Sequence, residues 1–309
     1  MKWLLVHMDT TDALNIAFFL LLIATMFILS PWITTWWIYV LLDAGVIGAV
    51  FMLARFASTR SHFWRLLHGF YMMICIPIAF SQMYWIVPVV HPVDYDRALI
   101  AIDRFLFFGA DPTHVLFSFA HPVVTEILQL AYASFYFLPL ILVVDLYRKQ
   151  RMAAFRVVFL TIILGFYLSY FGYVAVPAIG PRFTLHDFTA TDTELPGVFA
   201  TQFLRDYTNT GESIPPGTED PARKVQRDVF PSGHTQMTLL TIFLAFRYRA
   251  RTRWPLGIVG SLLVIATVYM RYHYVVDLIG GALFAILTFH LMKLLDVRWR
   301  QLRHHFFPQ

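Results

Sequence analysis

The chain has 309 residues, of which 58% are hydrophobic and only 14% are charged, whereas soluble domains contain roughly 25% charged residues. Its 30 phenylalanines add to an apolar excess that is too large for one globular core. Disordered, collagen-like and disulfide-stapled classes are excluded, because the chain is apolar, has no glycine period and carries one cysteine, Cys75. The composition therefore predicts an integral membrane protein.

Eight stretches meet or approach the roughly 20 apolar residues that a helix needs to cross a bilayer. In chain order they cover residues 13–29, 36–53, 66–90, 123–146, 157–176, 235–246, 255–270 and 275–295. The sixth and seventh are short, and they reach a full span only if the polar residues at their outer ends lie in a protein-lined cavity. We predict an all-α, polytopic transmembrane helical bundle of about eight spans with interfacial helices.

The net charge of +5 would ordinarily suggest nucleic acid as a partner, so the positions of the basic residues decide its meaning. Sixteen of the 24 lysines and arginines lie in short loops on one side of the predicted spans, and the others lie in longer loops. Short basic loops prefer the cytoplasmic side. We therefore expect no nucleic-acid partner, cytoplasmic termini, and a multi-pass protein of the bacterial inner membrane whose other face meets the periplasm or exterior.

Two external segments are too long to be simple connections. Residues 91–122 alternate apolar stretches with charges, and we expect them to cover the surface as amphipathic pieces along the interface. Residues 178–232 collect glycines and prolines, which predicts an irregular loop with little regular structure. Long loops of this kind are often functional lids.

Three polar clusters stand at the outer mouths of successive spans. They are Gly180-Pro181-Arg182, then Pro231-Ser232-Gly233-His234, then Arg271 with His273 and Asp277. A helix that runs inward, followed by one that runs outward, returns the chain to the same face. We therefore expect the three clusters to converge on one site.

His273 and Asp277 are four residues apart, so they share one face of a helix. A carboxylate in that place accepts the proton of one imidazole nitrogen and leaves the other nitrogen as a nucleophile or base. The alternative is an accidental pair, although an acid near a span is costly and usually functional.

Ser232 and Gly233 immediately precede an apolar helix, and helix N-termini of this kind bind anions, phosphate in particular. His234 would lie beside the anion, and Arg182 would supply a two-pronged contact to phosphate oxygens. The alternatives are a simple N-cap with an interfacial histidine, and an arginine that is merely solvated.

Together the clusters predict phosphoryl transfer without a metal or cofactor, since no His/Cys cluster has metal-ligand spacing. His273 attacks phosphorus, His234 protonates the leaving oxygen, and Asp277 orients the nucleophile. Water or another alcohol then breaks the phosphohistidine. The candidate phosphate-binding residues are Arg182, Ser232, Gly233 and Arg271.

At these residues the sequence resembles the type 2 phosphatidic acid phosphatase superfamily, whose second motif centres on Pro-Ser-Gly-His and whose third ends in His-x-x-x-Asp. Residues 231–234 match the second motif fully, and His273 and Asp277 match the third. Arg271 stands two residues before His273, where the family's arginine stands six before. The resemblance implies a six-helix core, with a catalytic membrane domain over residues 66–309 behind a two-span extension over residues 1–65.

The first motif departs from the superfamily, since Ala175 replaces a lysine and Pro181-Arg182 reverses the usual Arg-Pro order. With Tyr173, a candidate substrate-binding residue, this pattern resembles the branch containing inositol phosphorylceramide synthases. The same branch is matched by Asp103-Arg104, Phe108-Gly109, Asp111-Pro112-Thr113 and His273-Tyr274. Three loop residues are candidates to replace the missing lysine and bind substrate, with a solvated basic run as the alternative: Arg223, Lys224 and Arg227.

The resemblance implies an enzyme that cleaves or transfers a lipid phosphate at the outer leaflet, acting on a phospholipid, prenyl phosphate or sphingolipid-like substrate. A narrower hypothesis is transfer of a phospho-alcohol head group to an alcohol or lipid acceptor. A lipid transporter or lipid-binding protein is the alternative from another class, but it should show paired interrupted helices in two related halves, which the sequence lacks. An intramembrane serine protease would need Ser232 as its nucleophile.

Overall fold

A computed structural model describes residues 7–57 and 61–306, and every regular element in those ranges is helical. The prediction of an all-α protein is thus confirmed for the described chain. A 3₁₀ turn, Phe188–Ala190, precedes α11. The helices are α1 Thr10–Ile28, α2 Trp36–Ala57, α3 His62–Phe70, α4 Met72–Val90, α5 Asp96–Leu106, α6 Pro112–Phe117, α7 Pro122–Ala133, α8 Phe137–Arg148, α9 Met152–Ala175, α10 Pro181–Thr184, α11 Thr191–Glu194, α12 Thr201–Gly211, α13 Pro221–Lys224, α14 Gly233–Arg247, α15 Arg253–Tyr269 and α16 Val275–Phe306.

Several helical segments are long and apolar enough to cross a membrane, which supports an integral membrane protein. Five pass by themselves, and α7 with α8 makes a sixth if this bent pair is one span. α14 and α15 have 15 and 17 residues, fewer than a straight crossing needs. The count of eight spans and the six-helix core stay predictions. The five segments are Thr10–Ile28, Trp36–Ala57, His62–Val90, Met152–Ala175 and Val275–Leu302.

The fourth predicted span, residues 123–146, is not one straight helix. α7 and α8 meet at an angle of 54°, with a short break between Ala133 and Phe137. Pro139 lies in the first turn of α8, where a missing N–H is tolerated. In a continuous helix its ring would meet the carbonyl of Phe135, four residues earlier. The break therefore follows from the proline.

α9 lies at the centre of the bundle, because most of its side chains are apolar and buried. It contacts α1, α4, α8, α14 and α16. Two glycines bring α14 and the chain before it close: Gly165 faces Met237, and Gly172 faces Pro231, with no room for a Cβ at either glycine. The α1–α2 hairpin packs on this centre through α1.

The first external segment does more than cover the surface. Asp103 of α5 is buried, and its two carboxylate oxygens accept the N–H groups of Val275 and Val276, each at 2.8 Å. Asp96, at the start of the same helix, is also buried and accepts the N–H groups of Ile179 and Gly180 at 3.0 and 2.8 Å. α5 therefore holds the start of α16 and the turn before α10, which the interpretation as a surface cover did not anticipate.

The second external segment contains more regular structure than its glycines and prolines predict. It carries α10 to α13, of which α12 has 11 residues. The carboxylate of Glu126 in α7 accepts the N–H groups of Phe199 and Ala200, at 3.0 and 2.6 Å, just where α12 starts. A carboxylate at a helix N-terminus satisfies N–H groups that the helix leaves free. This distant contact explains a helix that local composition does not indicate.

Candidate active site

The second and third polar clusters meet where α14 and α16 begin. Ser232 is the N-cap of α14, and its Oγ accepts the N–H of Thr235 at 3.2 Å. The N–H of Ser232 donates to the backbone carbonyl of Asp277 at 3.0 Å. Gly281 of α16 lies so close that a Cβ there would stand 2.5 Å from the Ser232 carbonyl oxygen. The glycine lets the two helix N-termini approach.

The first cluster joins the third through backbone contacts. The N–H of Arg182 donates to the carbonyl of Arg271 at 2.9 Å. Gly180 has a φ of +93°, and a Cβ there would lie 2.8 Å from the carbonyl oxygen of Tyr272. Glycine therefore suits this turn both by conformation and by space. The chain segments of all three clusters lie side by side.

His273 and His234 face each other across this junction. Nε2 of His273 lies 3.5 Å from Nδ1 of His234. On its other side, Nδ1 of His273 lies 3.0 Å from the carbonyl oxygen of Val229. A carbonyl only accepts hydrogen bonds, so Nδ1 carries the proton and Nε2 keeps its lone pair. The lone pair of His273 therefore points toward His234.

Asp277 stands behind His273 but is not its nearest acceptor. One carboxylate oxygen lies 3.5 Å from Nδ1 of His273, and the same oxygen accepts the N–H of Tyr274 at 2.7 Å. Its other oxygen has no hydrogen-bond partner among the described residues. The carbonyl of Val229 thus shares with Asp277 the task of orienting the imidazole. Sequence reasoning assigned that task to Asp277 alone.

His273 lies in the turn before α16, where its environment keeps it uncharged. Burial lowers its pKa to about 3, and the positive charge of Arg182 adds to the lowering, while the hydrogen bond with Val229 opposes it. An imidazole with this pKa is neutral near pH 7 and can act as a nucleophile.

Aromatic rings enclose His234. Its ring stacks on Tyr132, with centroids 4.6 Å apart, and lies 4.2 Å from the ring of Phe135. Tyr132 also stacks on Tyr272 at 4.6 Å. Tyr132 and Phe135 lie at the break between α7 and α8, so the bend places this wall against the histidine. Sequence reasoning missed both residues, because neither belongs to a polar motif.

Arg182 is buried, and protein groups occupy both of its terminal nitrogens. One donates to the side-chain oxygen of Asn209 at 3.0 Å, and the other pairs with the carboxylate of Glu212. Its guanidinium carbon lies 4.8 Å from the ring centroid of Tyr272. Both polar partners come from α12 or the residue after it. They belong to the external segment, and sequence reasoning did not name them.

The side chain of Arg271 takes a different direction from that of Arg182. It is 1% exposed, pairs with Glu194 of α11, and lies 5.1 Å above the ring of Phe117 in α6. The structure therefore places its guanidinium beneath the external helices, and its backbone carbonyl beside Arg182. Glu194, which had no role in the sequence interpretation, is its ion-pair partner.

Comparison with known protein families now adds independent information. A family profile described as the PAP2 superfamily matches residues 97–291, well over half of the chain. The chain belongs to the PAP2 superfamily. Comparisons with curated proteins and with solved structures found no match. The predicted superfamily is confirmed, and its membership indicates a phosphatase-like function on lipid phosphates. The branch with inositol phosphorylceramide synthases stays a prediction.

The remaining candidate residues of this PAP2 protein are divided between the site and the surface. Tyr173 is buried, and its hydroxyl occupies the space beside Gly233, where a Cβ would lie only 2.5 Å from it. Arg227 pairs with Asp94 through Nε at 3.0 Å. Arg223 and Lys224 lie exposed on α13. Thus the Tyr173 hydroxyl lies at the N-terminus of α14, while Arg227 is paired with an aspartate and the other two loop residues are exposed. Among the described residues, no group of three His, Cys, Asp or Glu side chains suits a metal ion.

One further carboxyl group of this PAP2 protein, that of Asp228, has its pKa shifted by its surroundings. It follows Arg227 and precedes Val229, in the external segment. Burial raises its pKa to about 7, the charge of Glu212 adds to the rise, and Arg182 opposes it. Below pH 7 the carboxyl is neutral, and above pH 7 it is an anion that compensates Arg182.

We expect the KM for phosphatidic acid to rise several-fold between about pH 6 and pH 8, because ionised Asp228 repels an anionic substrate. In Asp228→Asn the part of the KM increase that is due to ionisation of Asp228 should be absent. Comparing both proteins on one substrate cancels the ionisation of the phosphate itself. A variant with the same pH profile as the natural protein would contradict the assignment.

Proposed function

We propose that this integral membrane protein is a lipid phosphatase or phosphotransferase that works through a phosphohistidine on His273. One observation carries the proposal. The lone pair of Nε2 on a neutral, buried imidazole points at a second imidazole 3.5 Å away, at the N-terminus of a helix. Superfamily membership supports the same chemistry.

The reaction follows from these positions. Nε2 of His273 forms a bond to phosphorus as the ester P–O bond breaks. Burial lowers the pKa of His234 in the free protein, so His234 takes up a proton when the anionic phosphate binds beside it and then gives that proton to the leaving oxygen. The first N–H groups of α14, at Gly233 and His234, have no intrahelical partners and favour an anion. Water then attacks the phosphohistidine, His234 takes its proton, and phosphate leaves.

Orientation completes the proposal. His234 lies at the start of α14, and His273 lies just before the start of α16. These helix ends are on the side of the predicted spans opposite the short basic loops. The positive-inside rule therefore favours a site at the outer leaflet, with both termini in the cytoplasm. The substrate would enter from the membrane, as a lipid whose phosphate reaches the histidines.

The covalent intermediate provides the test. Purified protein in detergent is mixed with phosphatidic acid radiolabelled in its phosphate and quenched in alkali, which preserves phosphohistidine. We expect labelled protein, and no label in His273→Gln. His290→Gln is a matched control, because His290 lies exposed on α16, the helix that follows His273, and away from the site. Equal labelling of His273→Gln would refute the proposal.

A second candidate, transfer of a phospho-alcohol head group, is favoured by the charges of the site. Ala175 stands where the superfamily motif has a lysine, and Arg182 is paired with Glu212. Such a site has less positive charge than a phosphate dianion favours, and it suits the single charge of a phosphodiester. The protein would be incubated with a phosphodiester lipid and a lipid alcohol. Release of the free phospho-alcohol by hydrolysis, without a hybrid lipid, would reject transfer.

A further inference from the structure

A second cavity of about 360 Å³ lies far from the histidines. Phe155, Arg156 and Phe159, near the start of α9, line it, whereas Tyr173 near the end of α9 lies at the histidine site. At about 1.5 Å per residue, the 17 positions from Arg156 to Tyr173 span roughly 25 Å of helix. The cavity therefore opens at the opposite face of the membrane.

A buried polar network includes His68, which lines the cavity. Asp12 of α1 is 1% exposed, and its carboxylate accepts the hydroxyl proton of Tyr71 at 2.8 Å. Nε2 of His68, in α3, lies 3.0 Å from the same carboxylate. Asn15 donates to the hydroxyl of Tyr71 at 3.0 Å. The Asp12 carboxylate is therefore satisfied by groups inside the protein.

Two arginines from different helices line the cavity, Arg65 of α3 and Arg156 of α9. Neither forms an ion pair with a described residue of the chain. The nearby carboxylate of Asp9 is turned into α1, where it accepts the N–H groups of Thr11 and Asp12 at 2.9 and 3.1 Å. The guanidinium groups of Arg65 and Arg156 can therefore bind an anion.

The rest of the lining includes apolar side chains, among them Met72, Met152 and Phe159, together with four polar residues: His7, Asp9, Thr11 and His68. A cavity at a membrane face whose lining contains both guanidinium groups and apolar side chains matches an amphiphile in which a phosphate adjoins hydrocarbon. Free phosphate would use only the arginines, whereas a phospholipid would use both parts of the lining.

We propose that this cavity binds the head group of an anionic phospholipid from the leaflet opposite the histidine site, with Arg65 and Arg156 contacting its phosphate. This lipid is a bound partner and not the substrate, because about one membrane thickness separates the cavity from His273. The proposal does not depend on the reaction at the histidines.

The test measures lipid binding to the purified full chain by native mass spectrometry and by thermal unfolding in detergent. The probes are phosphatidylglycerol, phosphatidylcholine and inorganic phosphate. We expect phosphatidylglycerol to bind and to raise the unfolding temperature. In the double variant Arg65→Gln with Arg156→Gln, its affinity should fall about fivefold for each arginine removed, while the unfolding temperature without lipid should stay unchanged because both side chains are exposed.

A matched double variant separates the cavity from the general charge of this face. Arg148→Gln with Arg251→Gln removes two exposed arginines on the same side, one at the end of α8 and one in the turn before α15, that do not line the cavity. We expect it to bind phosphatidylglycerol as the natural protein does. An equal loss in both double variants, no loss in the first, or stabilisation by inorganic phosphate as strong as by the lipid would each overturn the proposal.

Discussion

Replacing His273 by glutamine is expected to lower kcat/KM for phosphatidic acid by roughly four orders of magnitude, because no other group can form the covalent intermediate. Glutamine keeps a polar side chain of similar reach but has no nucleophilic nitrogen. The contact of His273 with Val229 is replaceable by an amide, so the fold should be retained. Phosphate release from mixed micelles measures the loss, and the unfolding temperature checks the fold.

The loss of activity caused by replacing His234 should depend on the substrate, unlike the loss caused by replacing His273. Its role as the proton donor matters most when the leaving oxygen is strongly basic. We therefore expect His234→Gln to lose roughly a hundredfold or more on an alkyl phosphate, and much less on p-nitrophenyl phosphate. His273→Gln should lose activity on both. Equal losses of His234→Gln on the two esters would mean that His234 positions the substrate and does not donate the proton.

The second large effect is expected at Arg182. Its two terminal nitrogens form a fork that matches phosphate oxygens, and lysine cannot reproduce that geometry. We expect Arg182→Lys to lower kcat by about a hundredfold to a thousandfold, as removal of one donor to a developing anion does in other enzymes. A KM increase with unchanged kcat would show instead that Arg182 acts only in substrate binding.

Replacing Glu212 should strengthen anion binding, whereas replacing Arg182 should weaken it. In the free protein its carboxylate pairs with Arg182, so a substrate phosphate must compete with it. Glutamine keeps a hydrogen-bond acceptor without the charge. We therefore expect Glu212→Gln to bind inorganic phosphate, measured as a competitive inhibitor, several-fold more tightly. Glu219→Gln, an exposed change in the same external segment, is the control. If Glu212→Gln instead behaves like Arg182→Lys, then Glu212 serves to hold the arginine in place.

Short-range sequence patterns predicted the centre of the site well. Ser232 caps α14 because its hydroxyl reaches an N–H three residues on. His273 and Asp277 lie close together, with 3.5 Å between Nδ1 and a carboxylate oxygen, but His273 lies in the turn before α16 and not on the helix itself. Both contacts join residues only three or four positions apart in the chain. The convergence of the clusters followed from the in-and-out course of the spans. These features need no knowledge of packing.

Partners that are distant in the chain escaped prediction. Arg182 pairs with Glu212, which is 30 residues away, and Arg271 pairs with Glu194, which is 77 away. Asp103 accepts a hydrogen bond from Val275, at a separation of 172 residues. No periodicity or motif links residues at such separations. The external segments therefore looked like a cover and an irregular loop until their contacts were known.

The sequence by itself determined that this is an apolar, helical membrane protein with a histidine pair of PAP2 type, because helix-length hydrophobic stretches and local motifs suffice for both conclusions. Only the tertiary structure decided which acceptor holds His273 and which carboxylates neutralise the arginines. It also decided that a second charged cavity lies at the opposite face. The physical reason is that hydrogen bonds and ion pairs in a buried site depend on how helices pack, and packing brings together side chains whose order in the chain carries no record of their meeting.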